Sequence, residues 1–78
     1  MIVRLNELKL NEEGVVVSFL NPLEEQTLSR FGIFLGSKIK MISKGTTCVI
    51  KILDSKFCIR HESIKNISLK IYREKNEN

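Results

Sequence analysis

The sequence predicts a small, mainly β domain, a partly open barrel of about five strands with one helix inserted after the first long strand and a short helical turn before the last. Short runs dense in branched aliphatic residues recur between turn signals, at 15–20, 38–43, 46–53, 56–60 and 67–71. A single stretch, 22–31, has both a start and a stop signal for helix. At 78 residues the chain fits one domain, expected over residues 1–72, with 73–78 a polar tail. So short a sheet protects its edges best by curling toward closure.

In chain order, Leu5, Leu8 and Leu10 are apolar points in a polar opening, and the spacing of Leu5 and Leu8 suits one turn of helix or an irregular packed segment. Residues 11–14 read as a turn ending in Gly14, before the β-branched run 15–20. Asn21 is placed as an N-cap, Pro22 as the first helical residue and Glu24 at the capping-box position, with Gly32 just past the helix end. Glu24 and Glu25 at the start and Arg30 near the end complement the helix dipole. Leu28 and Phe31 share a face that pins the helix to the sheet. Gly36 then turns the chain toward the next strand.

The strands that follow are separated by Lys44-Gly45 and Asp54-Ser55. A two-residue turn at Asp54-Ser55 sets Leu53 opposite Lys56 and Ile52 opposite Phe57. That register puts Ile50, Ile52, Phe57 and Ile59 on the core face, and Lys51, Lys56 and Arg60 outside. It also turns Cys48 inward and sets Cys58 outward, opposite Lys51, so no disulfide is expected. Residues 61–66 fit one helical turn, and 67–71 alternate apolar and polar like a last strand.

Composition narrows the function. The net charge is +4, from 13 basic and 9 acidic side chains, but lysines 38, 40, 44, 51 and 56 are spaced singly along the sequence, which argues against nucleic acid. No apolar stretch approaches the ~20 residues of a membrane span, and Arg4, Glu7 and Lys9 stand where a signal peptide would be apolar. The expected location is the cytoplasm, with two reduced thiols and no membrane insertion. A single histidine leaves no triad, and the glycines form no phosphate-cradling loop, so neither an enzyme nor a cofactor is expected. The candidate ligands for transition-metal binding are Cys58, His61 and Glu62, but without CxxC or HxxxH spacing no dedicated metal site is expected.

The segment after the helix is unusually apolar for a loop. Either Ile33 and Phe34 fold back as a lid on the core, or Arg30, Ile33, Phe34 and Leu35 present a protein-binding surface. Self-association through an unpaired edge is also compatible with the strand content.

The order Leu5-x-x-Leu8, Gly14 ahead of a strand, Leu28-x-x-Phe31-Gly32-Ile33-x-x-Gly36, and Ile59-Arg60 followed by a short helix and Ile67 resembles the ferrous iron transport protein A (FeoA) family. The resemblance spans nearly the whole chain. Departures from the family pattern are Phe31 for a usual Leu, Leu35 for a usual Pro, Cys58-Ile59 for a common Ala-Leu, and Ile64 for a frequent Ala. The resemblance implies an SH3-like barrel that serves as a cytosolic accessory of ferrous iron uptake. Its implied partner is the cytosolic part of a GTPase-containing membrane permease, contacted through Arg30 and the loop 33–35. Two other readings stay open: an SH3-like regulatory domain related to metal-dependent transcriptional repressors, and a small metal-handling protein.

Overall fold

The computed structural model describes residues 1–60, 62 and 65–72. Its elements are strand β1 (Ile2–Arg4), a 3-10 turn (Leu5–Glu7), β2 (Glu13–Phe19), helix α1 (Pro22–Ser29), β3 (Lys38–Lys44), β4 (Thr47–Ile52), β5 (Ser55–Arg60) and β6 (Ile67–Lys70). All six strands form one sheet in the order β1-β6-β2-β3-β4-β5, with antiparallel neighbours throughout. This is the mainly β, barrel-like architecture with an inserted helix that the sequence predicts, with one strand more. β1 escaped detection because three residues are too few to display a period of two.

The sheet bends at two bulges. The β2–β6 register slips between Val16 and Ser18, and the β3–β4 register slips between Met41 and Ser43. Each leaves one residue unopposed, which sharpens the local twist and rolls the inner face around the core. That core comprises, among others, Leu5, Leu8, Val16, Ile33, Ile39, Met41, Ile50, Ile67 and Leu69, all essentially without exposed surface.

Gly14 does not sit in a turn. It lies inside β2, opposite Ile39, and is buried. A Cβ there would approach Ile71 Cγ2 to 2.9 Å and Leu69 Cβ to 3.0 Å, so the glycine is required by close packing against β6. The turn itself uses Asn11, at φ 65°, a conformation that asparagine tolerates better than most residues. Glu12 braces it by accepting from the Lys9 N–H at 2.9 Å.

Helix α1 starts as its sequence dictates: Asn21 Oδ1 accepts from the Leu23 N–H at 3.0 Å, with Pro22 at the first position. Glu24 does not close a capping box. Its carboxylate accepts from the Asn66 amide at 2.9 Å, tying the first helical turn to the segment before β6. The helix is shorter than expected, and its end has the two hydrogen bonds of a Schellman motif: Ile33 N–H to Leu28 O at 3.1 Å, and Gly32 N–H to Ser29 O at 3.0 Å. Gly32 takes the left-handed conformation this requires, at φ 84°. The motif brings buried Leu28 beneath buried Ile33.

The β4–β5 hairpin differs from the expected register. Ile52 opposes Ser55 and Ile50 opposes Phe57, so the two-residue turn is Leu53-Asp54. The shift amounts to two residues, a full side-chain period, so every residue keeps the face assigned to it. Cys58 consequently lies opposite Val49 rather than Lys51. Leu53 holds φ 55° and is 89% exposed.

Two stability measurements test these assignments. Gly14→Ala should lower the unfolding free energy by about 1–3 kcal/mol through overpacking against β6, read from urea denaturation midpoints. Leu53→Gly should raise it by about 1 kcal/mol, because the left-handed backbone is relieved and little buried surface is lost. An unchanged midpoint for the first, or a lowered one for the second, would contradict the packing and the turn described.

Candidate functional site

The segment following α1 sorts its side chains by direction. The Schellman motif pulls Ile33 into the core, where it is fully buried. Its expected place on a partner-binding surface is therefore corrected: Ile33 is the hydrophobic anchor of the helix end. The next two residues point outward, Phe34 54% and Leu35 59% exposed, and Arg30 is exposed beside them. Phe34 is thus not a lid on the core.

This outward pair rides on a braced loop. The Phe34 N–H donates to Ser37 Oγ at 2.9 Å, and the same hydroxyl donates to Gly32 O at 3.2 Å. Ser37 N–H donates to Phe34 O at 3.0 Å, and Gly36, at φ 92°, donates its N–H to Val16 O at 2.8 Å. Backbone and hydroxyl bonds therefore hold Phe34 and Leu35 in place without burying them.

Two open grooves flank the loop. One, of about 520 Å³, runs between the end of α1 and β5 and is lined by Leu28, Phe31, Phe57, Ile59 and Arg60 among others. Phe31 meets Phe57 edge-on in it, with ring centroids 5.9 Å apart and planes at 67°. The other, of about 470 Å³, lies between Phe34, Gly36, Ile52 and Leu53. Phe31 is expected on the helix face that pins α1 to the sheet, and it does meet Phe57 there, yet it is 49% exposed. The readable signal was its position directly before Gly32, where the helix has already ended and a side chain can leave the helical face.

The metal-ligand candidates do not assemble. Cys58 is an exposed free thiol on the outer side of β5, and Glu62 is exposed. His61 lies outside the described residues, and among the described residues no three metal-ligating side chains converge.

Lysines that are isolated in sequence become neighbours in the sheet. Lys40 on β3 opposes Lys51 on β4, which opposes Lys56 on β5, and Glu13 on β2 completes the row opposite Lys40. Lys38 lies one pleat repeat along β3 on the same face and lines a shallow pocket of about 240 Å³ with Lys40, Lys51 and Leu53. Like charges set directly across a ladder are destabilising. Sequence spacing hides this arrangement because antiparallel pairing brings lysines 16 positions apart, Lys40 and Lys56, into one row.

Among the described residues no helix is long and apolar enough to cross a membrane. No curated protein matches the sequence. Among solved structures, an iron uptake regulatory protein (FeoA) is 24% identical, superimposes with a TM-score of 0.80, and is matched over 90% of this chain and 96% of its own. Stenotrophomonas maltophilia FeoA complexed with zinc, described as a procaryotic SH3 domain protein, is 22% identical with a TM-score of 0.76, over 87% of this chain and 89% of that one. A manganese-dependent transcriptional repressor shares the fold at 13% identity and a TM-score of 0.81, over 91% of this chain but 42% of its own. The family model for the FeoA domain matches residues 3–71, and the chain belongs to the FeoA domain family.

Proposed function

We propose that this protein is a non-enzymatic cytoplasmic accessory of ferrous iron uptake that docks on the cytosolic part of a GTPase-containing ferrous iron permease. Family membership sets the process, and the solved relatives described as an iron uptake regulatory protein and as possibly a ferrous iron transport activating factor fit it. The observation that carries the docking is the pair Phe34 and Leu35, held outward on a hydrogen-bonded loop directly after a residue that is fully buried.

An exposed aromatic on a pre-ordered loop loses little conformational freedom when it enters a partner's pocket, which is the usual chemistry of an interface anchor. Arg30, exposed at the end of α1, and Phe31 with Phe57 in the adjoining groove would extend the contact. A reading as a free-standing regulator draws on the repressor likeness, which is one of fold.

Phe34→Asp should keep the melting temperature within a few degrees of wild type and abolish capture of the permease from detergent-solubilised membranes by the tagged protein. Ile33→Ala should instead cost about 2–5 kcal/mol of stability, as for other buried aliphatic truncations. Undiminished capture by a folded Phe34→Asp protein would remove the loop from the interface. Retention of nucleic acid in place of the permease would move the assignment to the regulator.

A further inference from the structure

The outer face of the β3–β5 sheet gathers positive charge. Lys40, Lys51 and Lys56 stand directly across from one another, with Lys38 beside them, and Glu13 is the one carboxylate in the row. Such a row works against the sheet that carries it. At one end it merges with apolar surface: Leu53 and Lys38 line both the pocket holding Lys40 and Lys51 and the groove holding Phe34. Lysines and apolar side chains thus form one continuous surface.

We propose that this surface binds the anionic headgroup face of a phospholipid bilayer, with Leu53 entering the headgroup layer and the lysine row lying against it. Three features select this occupant. Leu53 is at a hairpin tip and 89% exposed, so that although it borders both hollows most of its side chain projects beyond them. It is held there by a backbone conformation, φ 55°, in which glycine or asparagine would be at ease and leucine is not. The positive charges of the row are all ammonium groups, hydrated point charges without the planar fork that selects individual carboxylates or phosphates, and so suited to a field rather than to one partner group. A nucleic acid backbone would meet the same charges but would gain nothing from an aliphatic tip. Asp54, next to Leu53 in the turn, is exposed and would face water at the bilayer edge.

This inference goes beyond permease docking and is tested without the permease. The intact protein is sedimented with vesicles of phosphatidylcholine containing one-third phosphatidylglycerol at about 0.1 M salt, and with vesicles of phosphatidylcholine alone. Binding to the anionic vesicles only, lost in 0.5 M salt, is expected. At about fivefold per lysine, Lys40→Gln with Lys51→Gln should weaken partitioning roughly 25-fold. Leu53→Gly, which relieves the turn and so keeps the fold, should weaken it several-fold further. Lys65→Gln, a change outside the row, should leave it unaltered. Absence of binding to anionic vesicles would overturn the proposal, as would equal binding to neutral ones or indifference to the lysine and Leu53 variants in folded protein. Capture of an acidic protein by the lysine row without vesicle binding would overturn it too.

Discussion

The close approach of β6 to β2 at Gly14 is the contact on which the remaining geometry depends. β6 lies between β1 and β2, and its inward residues Ile67 and Leu69, with Ile71 just beyond, are buried to the limit. That seam needs a position on β2 without a side chain, because a Cβ at Gly14 would collide with Ile71 and Leu69. With the seam closed, the bulge between Val16 and Ser18 can bend β2 around the core, and Val16 can receive the loop after α1 through its bonds to Gly36 and Ser37. The presentation of Phe34 and Leu35 therefore rests on packing two residues away on the same strand.

Much of this fold was legible because its signals are local. Asn21, Pro22 and Gly32 act on groups within a few residues, and the helix starts where they place it and ends just ahead of Gly32. Strand faces were legible even where register was not: the β4–β5 turn falls one residue earlier than Asp54-Ser55, but the slip is a whole period, so Cys48, Ile50 and Ile52 still point inward. Gly14 was misread for the opposite reason. Glycine near a strand start signals a turn in sequence, whereas its role here is defined by Ile71, which is 57 positions away in the chain.

The surface was harder to read than the core. Ile33, Phe34 and Leu35 are consecutive and chemically alike, and only the hydrogen bond from Ile33 N–H to Leu28 O decides which one turns inward. Nothing in composition separates them. The lysine row is another case: in the one-dimensional order it looks like evenly solvated charge, and in the sheet it becomes a cluster, since β3, β4 and β5 fold back on one another. Charge patterning along a chain and charge patterning across a sheet are separate properties, and in β proteins only the second meets a partner.

The pairing of β1 with β6 has a kinetic meaning as well. Ile2 opposes Lys70, and Met1 O accepts from the Ile71 N–H at 2.9 Å, so the first strand has no sheet neighbour until the last one arrives. The β3–β4–β5 meander, by contrast, can assemble from neighbours joined by short turns. Contacts so distant along the chain carry the loop-closure cost that slows folding in β domains. While the polypeptide is still being made, β1 and the inner edge of β2 are bare strand edges, open to pairing with the wrong chain. The arrival of β6 completes the sheet, covering the bare edge of β2 and leaving β1 with one open edge in place of two.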